Sequence, residues 1–137
     1  MITPILPFPD SPPALGPYSL AVQASGSFLF VSGMTPWNPA TGKIERSSIS
    51  EQTRLVLQNI QRILEHAGSS IDHVVSCRIY INDLTPARVS EMNRIYEQFF
   101  HSSKPARATV GVTLPGFDIE IECIALLLNQ HPNSLTT

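Results

Sequence analysis

Apolar residues recur every three or four positions at Ile49, Thr53, Val56, Ile60, Ile63, Leu64 and Ala67, with Gln52, Arg54, Gln58, Gln61 and Glu65 falling between them. That spacing lays one apolar stripe along a helix. Ser48 followed by Glu51 makes a capping box, in which each side chain answers an orphan amide at the helix start. Gly68 suits the left-handed conformation that ends a helix. The pattern therefore predicts a helix from Ile49 to Ala67. A second one follows Thr85-Pro86, an N-cap with proline at the first helical position, and carries Val89, Met92, Tyr96, Phe99 and Phe100 on one face.

Between and around these helices the period changes to two. Val75, Cys77, Ile79 and Ile81 alternate with Val74, Ser76, Arg78 and Tyr80, the signature of a strand. Ala106 to Val112 and Ile119 to Leu128 read as strands separated by Leu114-Pro115-Gly116. Tyr18 to Ala24 and Phe28 to Ser32, joined by Ser25-Gly26-Ser27, read as a β-hairpin. Gly33 to Ser47, with Pro36, Asn38, Pro39 and Gly42, reads as a loop long enough to shape a pocket. Residues 1–13 form a proline-rich lead-in and 129–137 a polar tail, leaving one α+β domain with its core over 14–128 in the order β-β-α-β-α-β-β.

Each helix has one apolar stripe and connects strands, so both are expected on one face of a mixed sheet. The other face is left bare. In the last strand Ile119, Ile121, Cys123, Ala125 and Leu127 would sit under the helices, yet Ile124, Leu126 and Leu128 on the opposite side are apolar too. A bare apolar sheet face is an interaction surface, and a closed homo-oligomer is the usual solution.

Composition narrows the function classes. The 137 residues carry a formal charge of −2, which gives no basic footprint for nucleic acid. The lead-in has neither a basic n-region nor an unbroken apolar run, and Glu120 and Glu122 interrupt the densest apolar stretch, so neither a secretion signal nor a membrane span is expected. Cys77 and Cys123, each inside an apolar run, read as buried thiols in a reducing compartment, which points to the cytoplasm. His66, His73, His101 and His131 show no pairing suited to a metal, and none is expected.

Phosphate loops, nucleophile elbows and dinucleotide glycine patterns are missing from the sequence. Polar residues inside otherwise apolar strands stand out instead: Tyr18, Ser32, Arg107, Glu120 and Glu122. Arg107 projects from a strand, where a planar donor fork suits bidentate capture of a carboxylate or phosphate, but it reads equally as an edge charge or half of an ion pair. Glu120 and Glu122 share a strand face, and a buried one needs a partner. Tyr18 and Ser32 read as packing and turn residues or as lining.

Gly16-Pro17-Tyr18-Ser19, Phe30-Val31-Ser32-Gly33, Pro39-Ala40-Thr41-Gly42, Glu51-Gln52-Thr53 with Asn59, Leu64 to Gly68, Asn93 with Tyr96 and Phe99-Phe100, Pro105-Ala106-Arg107 and Ile119-Glu120-Ile121-Glu122 resemble, in order, the motifs of the Rid (YjgF) family. The resemblance spans about Ala14 to Leu128. It implies a chorismate-mutase-like fold, a homotrimer with clefts at the subunit interfaces, and no cofactor. The implied activity is hydrolysis of 2-aminoacrylate-type enamines and 2-imino acids to 2-keto acids and ammonia. By motif, Arg107 would bind the substrate carboxylate. Glu120 would orient or deprotonate the attacking water, helped by a main-chain carbonyl assigned by position to Thr109. Tyr18 and Ser32 would line the cleft, and Glu122 would be structural. Met34 and Trp37 depart from the usual pattern, Trp37 in the loop expected to overhang the cleft, and leave open a pathway-specific imine substrate; a second alternative is a trimeric ligand-binding or regulatory protein in which Arg107 holds a small carboxylate without turnover.

Overall fold

A computed structural model describes residues 1–128; the polar tail expected from Asn129 lies outside them. Its elements are β1 (Ile2–Ile5), β2 (Ala21–Ala24), β3 (Phe28–Met34), β4 (Trp37–Asn38), β5 (Lys43–Ile44), α1 (Ile49–His66), β6 (Val74–Asn82), α2 (Pro86–Phe99), β7 (Ala106–Val112) and β8 (Ile119–Leu126). Four strands make the main sheet in the order β3-β8-β6-β7. The pairs β3–β8 and β8–β6 are antiparallel, whereas β6–β7 is parallel and is bridged by α2, as parallel neighbours require a crossover. The result is the expected α+β fold with a mixed sheet.

Both helices start where the sequence places them. The Ser48 hydroxyl accepts from the Glu51 amide at 3.2 Å and the Thr85 hydroxyl accepts from the Arg88 amide at 3.2 Å, caps that stabilise by about 1 kcal/mol each. The capping box is only half made, because the Glu51 carboxylate turns to Arg54 instead of returning to the Ser48 amide. The helices bury Val56, Leu57, Ile60 and Leu64 of α1 and Met92 and Tyr96 of α2 against Cys77, Ile79, Ile81, Ile119, Ile121 and Cys123. Each such aliphatic side chain contributes about 1.5–3 kcal/mol by leaving water.

Several expectations are corrected. The hairpin between Tyr18–Ala24 and Phe28–Ser32 does not form: β2 pairs with β1, inside the supposed lead-in, and β3 pairs with β8. Ser25-Gly26-Ser27 turns the chain from one sheet into the other, and Leu126, expected on the bare face, is buried there, within contact reach of Gly26. The 33–47 segment contains the short β4–β5 ladder. On α1, Ala67 is exposed and Leu57 buried. Val74 rather than Val75 faces the core, because the β6–β8 register shifts between Val74 and Ser76.

Gln52, read from the sequence as solvent-facing, is fully buried because it is fully partnered. Its amide donates to the Ser47 carbonyl at 2.7 Å and to Asp118 Oδ2 at 3.0 Å, while its carbonyl accepts the Asp118 amide at 2.8 Å. Asp118 also takes Asn82 at 3.2 Å, Arg46 at 3.2 Å and Arg88 at 3.1 Å, so it ties the entry of β8 to α1, β6 and α2. Burial alone would push this carboxyl up, but the hydrogen bonds from Gln52, Asn82 and Arg46 outweigh it and hold the pKa below its ordinary value. Among the described residues no helix is long and apolar enough to cross a membrane.

Candidate active site

Strand alternation decides where the sequence-derived site residues go. Arg107 is opposite Cys77 and Thr109 opposite Ile79, so both point to the helix side of the sheet. The guanidinium sits between aromatic rings, 5.0 Å from the Tyr96 centroid and 5.4 Å from that of Tyr18. Its Nη1 donates to Asn93 Oδ1 at 2.8 Å. Gly16 closes one side: a Cβ there would lie 3.0 Å from Arg107 Nη2. The loop is held on β7 by Ser19, whose hydroxyl donates to the Lys104 carbonyl at 2.5 Å and whose amide donates to that of Pro105 at 3.3 Å. Tyr18 is fixed in turn by the Leu15 amide, which donates to its hydroxyl at 3.0 Å.

Arg107 is therefore desolvated, clamped and without a counter-ion. Among the described residues, every carboxylate within 4 Å of an arginine or lysine serves Arg46, Arg54, Arg78, Arg88 or Lys104. Burial lowers the Arg107 pKa from its ordinary value, yet a guanidinium remains protonated. Burial also pushes the Tyr96 phenol up, so a neutral ring faces the cation. Beside it the Thr109 hydroxyl is buried without a hydrogen-bond partner. A planar cation with unused donors, with an unsatisfied hydroxyl two residues along the same strand face, matches the hydrogen-bonding pattern of a carboxylate.

Glu120 belongs to the other side. It lies opposite Tyr80, while its neighbours Ile119 and Ile121 are in the core. Its carboxylate rests on Gly33, where a Cβ would stand 2.9 Å from both Cδ and Oε2. Gly33 and Ser32 form a β-bulge: Val31 pairs with Cys123 and Met34 with Ile121, leaving the two residues opposite Glu122 alone. The bulge brings Ser32 and Glu120 into one neighbourhood. Glu122 accepts the Tyr80 hydroxyl at 2.7 Å and lies 3.6 Å from Arg78, a network of its own on the same face.

The structure thus groups Tyr18, Arg107 and Thr109 on one face and Ser32 and Glu120 on the other. With β6 between them, β7 and β8 stand about 10 Å apart and their side chains diverge. One small molecule cannot touch both Arg107 and Glu120 of the same chain. Cys77 and Cys123 are free and buried, with burial pushing the Cys77 thiol up and carrying that of Cys123 to about 12, which suppresses thiolate chemistry. No group of three or more His, Cys, Asp or Glu among the described residues is arranged to hold a metal. A cavity of about 870 Å³ lies between β1, the Ser25–Ser27 turn and the 101–104 segment, and Ser19 from the Arg107 loop is among its lining residues.

Asn93 is the residue whose role sequence reasoning missed. Its signal was present: it stands three positions before Tyr96, one turn away on the same side of α2. Trp37, in the loop expected to overhang the cleft, lines a cavity together with Met34 and with Asn59 and Ile63 of α1.

Comparison with known proteins adds a family. Residues 8–127 match the family described as Endoribonuclease L-PSP. A RutC family protein of Pyrococcus horikoshii is 44% identical over 118 residues, covering 85% of this chain and 91% of that one. Reactive Intermediate Deaminase A of Arabidopsis thaliana, a chloroplast protein, is 42% identical over 119 residues, covering 85% of this chain and 62% of its own. Among solved structures, the Rid family protein YyfB of Yersinia pestis superposes with a TM-score of 0.82 at 32% identity over 92% of this chain and 98% of that one. Yeast Mmf1 gives 0.68 at 37%, over 93% and 100%.

Proposed function

Because the chain belongs to the YjgF/Rid family, we propose that it hydrolyses reactive 2-imino acids and their enamine tautomers to 2-keto acids and ammonia, at sites that two copies of the chain complete together. The observation that carries this reading is the half-buried Arg107 guanidinium, clamped by Asn93 and lacking any carboxylate partner among the described residues. Its free donors hold the substrate carboxylate through two hydrogen bonds and thereby fix C2. Tyr18 lines one wall, and the unpartnered Thr109 hydroxyl offers a further polar contact to the substrate.

Glu120, from the neighbouring copy together with Ser32, takes a proton from a water as its oxygen bonds to C2 of the C=N group. That proton passes to the imine nitrogen to give a carbinolamine, which collapses as Glu120 carries its hydroxyl proton to nitrogen: the C=O bond forms, the C–N bond breaks, and ammonia leaves the 2-keto acid. An enamine enters the same route after protonation at C3. These imines already hydrolyse in water, so positioning and one general base suffice. Support for a shared site comes from the two half-sites on opposite sheet faces and from Phe28, Phe30 and Val110, large side chains exposed on the Glu120 face. We take the assembly to be a homotrimer. RNA cleavage, which the family's description mentions, has no footprint in a chain of net charge −2.

The test is keto-acid release from imines generated in situ by an amino-acid oxidase, with wild type, Arg107→Ala, Glu120→Gln and a refolded mixture of the two variants. Each variant alone should lose the acceleration. Random co-assembly should restore about a quarter of it, since that fraction of interfaces joins an intact Arg107 to an intact Glu120. Two inactive variants whose mixture stays inactive would overturn the shared site. Wild type that binds small carboxylates without accelerating hydrolysis would overturn the enzyme reading in favour of a ligand-binding protein.

A further inference from the structure

On the helix side of β3, at the sheet edge opposite Arg107, a cavity of about 290 Å³ opens between the β4 strand and α1. Met34, Thr35, Trp37, Asn59, Arg62 and Ile63 line it. It is separate from both half-sites. Met34 pairs with the core residue Ile121, so the cavity and Glu120 lie on opposite faces, and three strand spacings, about 14 Å, separate β3 from β7.

The lining is apolar on most sides, through Met34, Ile63, the Thr35 methyl and the indole of Trp37, which is 44% exposed. Its only charged residue is Arg62. The Arg62 Nη1 donates to Asn59 Oδ1 at 3.0 Å, and the Asn59 amide nitrogen donates to the carbonyls of Trp37 at 2.8 Å and Thr35 at 3.4 Å. Asn59 is thereby locked, and it anchors one donor of the Arg62 guanidinium, whose other donors make no hydrogen bond among the described residues. Among the described residues no carboxylate lies within 4 Å of Arg62. The carbonyls of the lining are already engaged by Asn59, so an ammonium group would find a like charge and poor acceptors.

We propose that this cavity is a second small-molecule site, which takes a compact apolar monocarboxylate: the carboxylate on Arg62 and the hydrocarbon or aryl body against Trp37, Met34 and Ile63. The reading does not depend on deamination, because binding here is observable without turnover. Trp37 is the only tryptophan in the chain, so its emission reports on this cavity.

The experiment titrates phenylacetate against Trp37 fluorescence in the full chain, with 2-phenylacetamide and phenethylamine as neutral and cationic counterparts. Calorimetry in the Arg107→Ala background removes binding at that guanidinium. A saturable change with phenylacetate is expected, retained in Arg107→Ala and weakened about tenfold or more in Arg62→Met. The substitution is at an exposed position and should leave the circular dichroism and imine hydrolysis unchanged. The proposal is overturned if neither method detects saturable binding, if Arg62→Met binds as tightly as wild type, if phenethylamine or the amide binds as well, or if the signal disappears in Arg107→Ala while Arg62→Met keeps it.

Discussion

At the scale of single residues, the contact between Asn93 and Arg107 gives an ordered prediction. Asn93→Ala removes one of the guanidinium's anchors and should lower kcat/KM about tenfold, mainly by raising KM. Asn93→Asp should be worse: it would hold Arg107 equally firmly but neutralise the charge that the proposed carboxylate contact requires. Steady-state kinetics checks the order, and equal effects would mean that Asn93 matters only for packing. Asp118 makes a second case. Its carboxylate is depressed by the hydrogen bonds from Gln52, Asn82 and Arg46, which overcome desolvation, so it contributes stability that is full above the unfolded-state pKa of about 3.9 and is lost as pH falls through its lower folded value. Asp118→Asn, which leaves Arg46 and Arg88 without their anion, should cost about 3 kcal/mol near pH 7 in urea titrations, with the gap to wild type narrowing below about pH 4.

At the scale of elements, the bulge in β3 couples fold to chemistry. A methyl group at Gly33 would collide with the Glu120 carboxylate, the far end of a flexible side chain that can swing aside. Gly33→Ala should therefore leave the urea midpoint nearly unchanged while lowering kcat about tenfold or more. A large stability loss with kcat preserved would show that Gly33 serves the backbone instead. The same elements show what the sequence could and could not convey. Both helices were legible to within a residue because period and caps agreed, at Ser48 and Ile49 and again at Thr85 and Pro86. Strand partners were not: nothing local in Tyr18–Ala24 distinguishes pairing with Phe28–Ser32 from pairing with Ile2–Ile5, since register is set by contacts distant in the chain. The burial of Gln52 was equally hidden, because its partner Asp118 lies 66 positions away. Alternation did place Arg107 and Glu120 on strands, but only the sheet order put them on opposite faces.

For the whole molecule, the exposed side of the sheet makes the association prediction. Phe30, 74% exposed on β3, presents an aromatic ring to solvent beside Ser32. Phe30→Glu should convert the proposed trimer to monomers in sedimentation, with helix content kept and imine hydrolysis lost together with the assembly. A variant that stays assembled would place the contact elsewhere.

The strand order has a consequence for synthesis. The strand β8, which follows all the others in the chain, lies between β3 and β6. Until Ile119–Leu126 has left the ribosome, β3 has no partner in the sheet and α1 lacks much of the surface it covers. The 118 residues that precede β8 therefore wait, with open edges, for a segment that closes the sheet from its middle, and folding is committed late. Nascent chains arrested before β8 emerges should be cut readily by protease, and protection should arrive in one step once it does.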